Sequence, residues 1–113
     1  MMFSGVEIPQ RLDIESKIEI TAINNQVDPE KMLALCDCES KFYPKAFNKK
    51  DPQGGAKGLF QFLTPTFLET AKKYGLKDPD IWNIDHQIKL TAFLLAQNKW
   101  KLWYNCSKKI GMI

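Results

Sequence analysis

The stretch that most constrains this chain lies at residues 38–62 and reads CESKFYPKAFNKKDPQGGAKGLFQF. It starts with Glu39 at the end of an apolar helical run, passes through a polar loop rich in glycine, and ends in the apolar segment GLFQF. A carboxylate at the edge of apolar packing, facing a glycine-rich strip, is the arrangement of a general acid with a raised pKa beside an extended substrate. The competing interpretation is a solvated surface glutamate next to an ordinary turn, and the residue pattern alone leaves both open.

The chain around this stretch reads as mainly α-helical. An apolar stripe with Ile14, Ile18 and Ala22 predicts a helix over residues 11–26, after a lead-in at residues 1–10. A length of 113 residues suits one domain with one hydrophobic core, so we expect a single domain over the whole chain.

Two later helices begin with a capping side chain followed by a proline at the first helical position. The Asp-Pro pair at 28–29 opens a helix that ends near Glu39, and the Thr-Pro pair at 64–65 opens one that runs to about residue 73. A further helix over about 84–100 is apolar on more than one side, which is usual for the buried central helix of a domain.

Residues 43–57 read as a loop, because they contain two prolines, two glycines and the polar run NKKDPQGG. No stretch of the chain shows sustained strand alternation, although residues 47–57 leave room for a short β-hairpin. The expected fold class is therefore mainly α, with several helices around a central buried helix.

The position of Glu39 bears on its chemistry. At the C-terminal end of a helix the macrodipole is negative, so the ionised carboxylate is disfavoured, and partial burial acts in the same direction. Both effects raise the pKa and keep a proton available near neutral pH. Glycosidases commonly pair two carboxylates, and Asp51 in the loop could approach from the other side of a substrate.

Other chemistries find little support in the sequence. The three cysteines, at 36, 38 and 106, do not fit a zinc template, and no phosphate-binding loop is present. The single histidine, His86, has no triad to join, and we interpret it as a surface residue. We therefore expect neither a metal nor an organic cofactor.

The charge is distributed unevenly along the chain. Residues 1–39 carry eight acidic and three basic side chains, whereas residues 40–113 carry five acidic and thirteen basic ones. A basic face favours an anionic polymer as partner, although the lysines could equally solvate helix surfaces. No nucleic-acid-binding motif is present, so we expect no nucleic-acid partner.

The residues of the 38–62 window also form a spaced set of fixed types, namely Glu39-Ser40-x-Phe42, Pro44, Ala46, Asn48, GAKGLFQF at 55–62, and Thr64. This set resembles the signature of the lysozyme-like domain of soluble lytic transglycosylase (SLT) type. The strict match covers roughly residues 38–66, and weaker agreement extends from about 18 to 106. The segment KKDPQG at 49–54 is longer than the usual family loop.

The resemblance implies a lysozyme-like fold, with helices packed around Leu94 and a substrate groove beside Glu39. It also implies cleavage of the peptidoglycan glycan strand between N-acetylmuramic acid and N-acetylglucosamine. In this family one glutamate acts first as the acid and then as the base on the muramic 6-hydroxyl, giving a 1,6-anhydro product. Glu39 matches that glutamate.

Further site residues follow from the resemblance. Ser40, Asn48 and Gln61 match positions that line the groove and bind sugar or peptide groups. Tyr104 matches a late tyrosine whose hydroxyl contacts the acid. Of the two phenylalanines flanking Gln61, we expect one to pack in the core and Phe62 to border the groove.

The resemblance also implies a disulfide. Some lysozyme-like members carry Cys-Glu-Ser at the acid and a late Trp followed by Cys, which Cys38, Trp103 and Cys106 resemble. A Cys38–Cys106 bond would close a loop of about 68 residues and stabilise the fold by roughly 4 kcal/mol in the chain-entropy model. The alternative is three buried free thiols.

Two other functions compete with lytic transglycosylation. One is a muramidase that hydrolyses the same bond with Asp51 as the second carboxylate. The other is a wall-binding or structural module that has kept the fold without turnover.

The location expected for such a chain is one that faces the cell wall: the periplasm, the exterior or a phage virion. No apolar run approaches the roughly 20 residues needed to cross a bilayer, and MMFSGVEIPQ lacks the features of a signal peptide. We expect a monomer or one domain of a larger protein.

Overall fold

The computed structural model describes residues 8–51 and 53–113, so most of the expected lead-in, residues 1–7, lies outside the described residues. The described residues form five α-helices, one 3-10 helix and a small antiparallel sheet. The elements are α1 (Ile8–Asn24), α2 (Pro29–Ser40), β1 (Phe47–Asn48), β2 (Ala56–Lys57), β3 (Phe62–Leu63), α3 (Thr64–Tyr74), α4 (Ile84–Leu95), the 3-10 helix (Trp100–Trp103) and α5 (Tyr104–Lys109). The mainly α fold class is thereby confirmed.

Helix α1 buries the predicted stripe of Ile14, Ile18 and Ala22 completely. It starts at Ile8, three residues before the predicted start. Pro9 is compatible with this earlier start, because the first-turn N–H groups of a helix have no intrahelical acceptor and none is lost to a proline there.

Helix α2 starts as its sequence predicts. The carboxylate of Asp28 accepts hydrogen bonds from two backbone N–H groups of the first turn, at 2.9 and 3.4 Å. The helix ends at Ser40, and Lys41 and Phe42 both adopt left-handed backbone conformations. The chain therefore turns sharply just after Glu39, which lies in the last helical turn.

The small sheet has the strand order β1-β2-β3, with both pairs antiparallel. The hairpin expected within residues 47–57 is present, and the third strand is an addition that the sequence did not reveal. The predicted cap at Thr64 is wrong, because Leu63 occupies the N-cap of α3 without a side-chain hydrogen bond. The Thr64 hydroxyl instead accepts a hydrogen bond from Lys57 Nζ at 2.8 Å, which joins β2 to α3.

Helix α4 is the buried central helix, as predicted. It contributes seven buried residues, namely Gln87, Ile88, Leu90, Thr91, Ala92, Leu94 and Leu95. It ends five residues before the predicted boundary at 100. The chain leaves the helix through a turn in which Asn98 is left-handed, and a 3-10 helix follows.

The C-terminal segment folds back onto α2 and the sheet. Cys38 and Cys106 form a disulfide with a Cα–Cα distance of 5.8 Å, and Cys36 remains a buried free thiol. The indole Nε1 of Trp103 donates to the Phe60 carbonyl at 2.7 Å. These contacts fix the 3-10 helix and α5 beside the end of α2.

Candidate active site

A cavity of about 460 Å³ opens where the end of α2, the small sheet and the C-terminal segment meet. Its walls come from three separate parts of the sequence, which explains why only the folded chain forms it. The lining residues are Glu39, Asn48, Asp51, Ala56, Gln61, Leu63, Leu102, Trp103, Tyr104, Asn105 and Cys106.

Glu39 is half-buried in this cavity. Burial, followed by the negative charge of Asp51, raises the pKa of its carboxyl group to about 7, and the positive charge of Lys109 opposes the rise. No hydrogen bond from any described residue reaches the Glu39 carboxylate. Among the described residues, Lys109 is therefore the group that favours the charged form. The Glu39 carboxyl group can therefore hold or release a proton near neutral pH.

Asp51 lines the same cavity as Glu39, on the loop between β1 and β2. Its backbone N–H donates to the Asn48 carbonyl at 3.4 Å, which folds the loop back toward β1. Two carboxyl groups therefore line the same cavity, and the negative charge of Asp51 contributes to the raised pKa of Glu39.

Three of the groove residues expected from the resemblance lie at this cavity: Asn48, Gln61 and Tyr104. Gln61 has a left-handed backbone, and its amide nitrogen donates to the Ala46 carbonyl at 3.2 Å and the Gly58 carbonyl at 3.0 Å. Its amide oxygen has no protein partner among the described residues and can accept a hydrogen bond from a ligand.

Tyr104 is 56% exposed at the start of α5. The expected hydrogen bond between its hydroxyl and Glu39 is not formed within the described part of the chain. Lys108 lies over the tyrosine ring instead, with its ammonium nitrogen 5.9 Å from the ring centroid. Tyr104 therefore lines the cavity without holding the acid.

Two residues expected in the groove, Ser40 and Phe62, are not among those that line this cavity. Ser40 is half-buried, and its hydroxyl donates back along the helix to the Cys36 carbonyl at 3.3 Å. Phe62 is only 2% exposed and packs edge-to-face on Phe67 and Trp103, with ring centroids 5.5 and 5.8 Å away. Its ring therefore packs mainly in the core, and it also borders a smaller depression next to the cavity.

Gln87 is a structural residue of the site that the sequence analysis missed. It is 1% exposed, and its amide oxygen accepts from the Phe60 N–H at 2.9 Å. Its amide nitrogen donates to the carbonyls of Lys57 at 2.9 Å and Ile81 at 2.7 Å. A buried glutamine inside an apolar helix face was the available signal, because such a group needs partners.

Gly58 explains how Gln87 reaches the sheet. Its backbone has a φ of +82°, and an added Cβ would lie 2.3 Å from the Gln87 amide nitrogen. Only glycine combines this left-handed conformation with such a close approach.

Metal-ligating side chains do not cluster among the described residues. Within residues 8–51 and 53–113, no group of three or more His, Cys, Asp or Glu side chains is placed to hold a metal ion.

Comparison with known proteins supplies the family. The family model described as Transglycosylase SLT domain matches residues 16–106. Searches among curated proteins and among solved structures gave no significant match. The family match spans most of the chain and includes both Glu39 and the cavity walls. We conclude that this chain belongs to the transglycosylase SLT domain family.

Proposed function

We propose that this protein is a lytic transglycosylase that cleaves the glycan strand of peptidoglycan between N-acetylmuramic acid and N-acetylglucosamine, with Glu39 as its one general acid and base. Membership of the SLT family supports action on peptidoglycan in a compartment that faces the cell wall. Among the described residues, no helix is both long and apolar enough to cross a bilayer.

The observation that carries the proposal is the half-buried Glu39 in a walled cavity, with a pKa of about 7. A general acid works best when its pKa lies near the operating pH, because it is then often protonated and still transfers its proton readily. An ordinary surface glutamate would be ionised at neutral pH and could not donate a proton to a sugar oxygen.

The proposed reaction has two proton transfers through the same carboxyl group. Glu39 first donates its proton to the glycosidic oxygen as the bond to C1 of the muramic acid breaks. The resulting carboxylate then accepts the proton of the 6-hydroxyl of that sugar, and the 6-oxygen bonds to C1. The product is a 1,6-anhydro sugar, and Glu39 returns to its protonated form.

Asp51 favours a second candidate, hydrolysis by a muramidase. Its carboxyl group lines the Glu39 cavity, so it could activate a water or stabilise positive charge at C1. We rank it second because Asp51 lies on a loop, whereas the one-carboxylate reaction needs only the group held by α2.

Product analysis distinguishes these functions. Purified peptidoglycan is digested with wild type, Glu39→Gln, Asp51→Asn and the control Asp37→Asn, an exposed acid on the same helix. We expect anhydro-muropeptides from wild type, a loss of at least about 100-fold for Glu39→Gln, and substantial activity for Asp51→Asn. Mass spectrometry identifies the products.

The other outcomes each favour a different conclusion. Reducing-end products that disappear with Asp51→Asn would favour the muramidase. Equal clearance by wild type and Glu39→Gln would refute the catalytic role of Glu39. Binding to peptidoglycan without clearance by either protein would favour a non-catalytic wall-binding module.

A further inference from the structure

Two smaller depressions continue from the Glu39 cavity along α3. The first, of about 150 Å³, shares Gln61, Leu63, Leu102 and Trp103 with the cavity. The second, of about 160 Å³, shares Thr66 and Leu102 with the first. Consecutive depressions share lining residues and therefore adjoin one another, and we refer to the two smaller depressions together as the path.

One face of α3 forms a wall of this path. Leu63, at the N-cap of α3, and Thr66, Thr70 and Lys73 within the helix line it in sequence, at steps of three and four residues. Residues at this spacing lie above one another on one side of a helix. From Leu63 to Lys73 the wall is about 15 Å long at 1.5 Å per residue.

The far end of the path is charged. Lys73 and Lys99 line the second depression together with Glu69, and all three are exposed. None of the three takes part in a salt bridge among the described residues. Two ammonium groups and one carboxylate are therefore available to a ligand that carries acidic groups and an amine.

From these observations we infer that the path from Leu102 to Lys73 is a subsite for the peptide stem on the muramic acid of the bound glycan, with Lys73 and Lys99 binding the carboxylates of the stem. The inference rests on the proposed function, because the stem reaches the path only when its sugar occupies the Glu39 cavity. Glu69 is placed to bind the side-chain amine of a diamino acid in the stem.

The dimensions agree with such a ligand. A four-residue stem in extended form spans about 13 Å, close to the length of the α3 wall. The near part of the path is lined by Phe62, Leu63, Leu102 and Trp103, which suits the small apolar residue of a stem, and only the far part is charged.

The test compares three preparations of the same glycan strands. One carries stems with free carboxylates, one carries stems whose carboxylates are amidated, and one is stripped of stems by an amidase. The measured quantity is the ratio of kcat/KM on the first preparation to kcat/KM on each of the others. The proteins are wild type, Lys73→Ala/Lys99→Ala, and the matched control Lys72→Ala/Lys89→Ala, whose lysines are exposed and lie outside the path.

We expect wild type and the control to prefer strands with free stem carboxylates. The Lys73→Ala/Lys99→Ala protein should lose about threefold to tenfold of that preference, because two exposed ion pairs each contribute modestly. The preference should also shrink at high salt, which screens exposed charges. Equal ratios for the Lys73/Lys99 variant and the control would overturn the inference.

Failure of the proposed function gives a different result. If wild type cleaves none of the preparations, cosedimentation of Glu39→Gln protein with the same strands still measures the subsite. Tighter binding to strands with free stem carboxylates, weakened by the added Lys73 and Lys99 substitutions, would support the subsite without turnover. Equal binding to all three preparations would refute it.

Discussion

The protonation of Glu39 is set by three neighbours of different kinds. Burial disfavours the charged carboxylate most strongly, the charge of Asp51 adds repulsion, and Lys109 attracts in the opposite direction. Asp51 and Lys109 lie on a loop and on α5, so the acid of α2 depends on two elements distant in sequence. The expectation of a raised pKa from the residues around Glu39 had the right direction, but the part played by Asp51 and Lys109 required the fold.

This balance predicts the pH dependence of activity. Glu39 must be protonated to act as the acid, so kcat/KM should fall as pH rises through about 7. Asp51→Asn removes a negative neighbour, which lowers the Glu39 pKa and moves the alkaline limb to lower pH. Lys109→Gln removes a positive neighbour and moves that limb to higher pH.

Profiles of kcat/KM against pH for wild type and the two variants measure these shifts. Lys101→Gln is a suitable control, because it is an exposed lysine of the C-terminal segment that does not affect the Glu39 pKa. Shifts in the reverse directions, or one identical alkaline limb for all four proteins, would contradict the electrostatic account.

At the scale of elements, the helix boundaries that depend on local interactions could be predicted from the sequence. Helix α2 starts directly after its cap Asp28, and α3 ends directly before the left-handed Gly75, because each of these residues acts on its own helix. Strand β3 and the end of α4 carry no such local signal, and contacts between distant residues, such as the hydrogen bond from the Trp103 indole to the Phe60 carbonyl, are seen only in the folded chain. Strands of two residues carry too little periodicity to be read from sequence.

Gln87 joins α4 to strand β2, to the turn before β3 and to the segment that precedes α4, so its substitution tests how these parts are held together. In Gln87→Leu, the Phe60 N–H and the Lys57 and Ile81 carbonyls lose their partner in a buried environment. We expect a loss of about 3 kcal/mol in the free energy of unfolding. Each unsatisfied buried group costs about 1–3 kcal/mol, and some of these three groups can hydrogen-bond to water instead.

Urea denaturation measures this loss. Gln97→Leu is the matched control, because Gln97 is exposed and its amide donates only to the Phe93 carbonyl of its own helix. The control should change stability by less than about 0.5 kcal/mol. If the two variants were equally stable, the amide of Gln87 would not hold the sheet to α4.

At the scale of the whole molecule, the cavity exists because the C-terminal segment returns to α2. Its location could be predicted from the family resemblance, which identified Glu39, Asn48, Gln61 and Tyr104 as neighbours. Ser40 and Phe62 match the motif equally well but do not line the cavity. Sequence spacing does not reveal which side of a helix or strand faces the core, and only packing decides this.

The Cys38–Cys106 disulfide joins α2 to the segment that walls the cavity, and it closes a loop of 68 residues. In the chain-entropy model, such a loop corresponds to about 4 kcal/mol of stability. We therefore expect Cys38→Ser/Cys106→Ser to lose about that amount, and wild type to lose the same amount in reductant. Urea denaturation with and without reductant measures both.

The same bond should matter for activity, because Cys106 itself lines the cavity and Lys109 follows on the same helix. With the disulfide cut, three hydrogen bonds still hold the cavity wall at 102–106. They run from Trp103 to the Phe60 carbonyl, from Ser107 to the Trp100 carbonyl and from Lys31 to the Ile110 carbonyl. We expect KM to rise in the reduced protein. The serine double variant should not respond to reductant, and buried Cys36 should add no effect. Wild type that keeps both its stability and its KM in reductant would show that packing alone holds the wall.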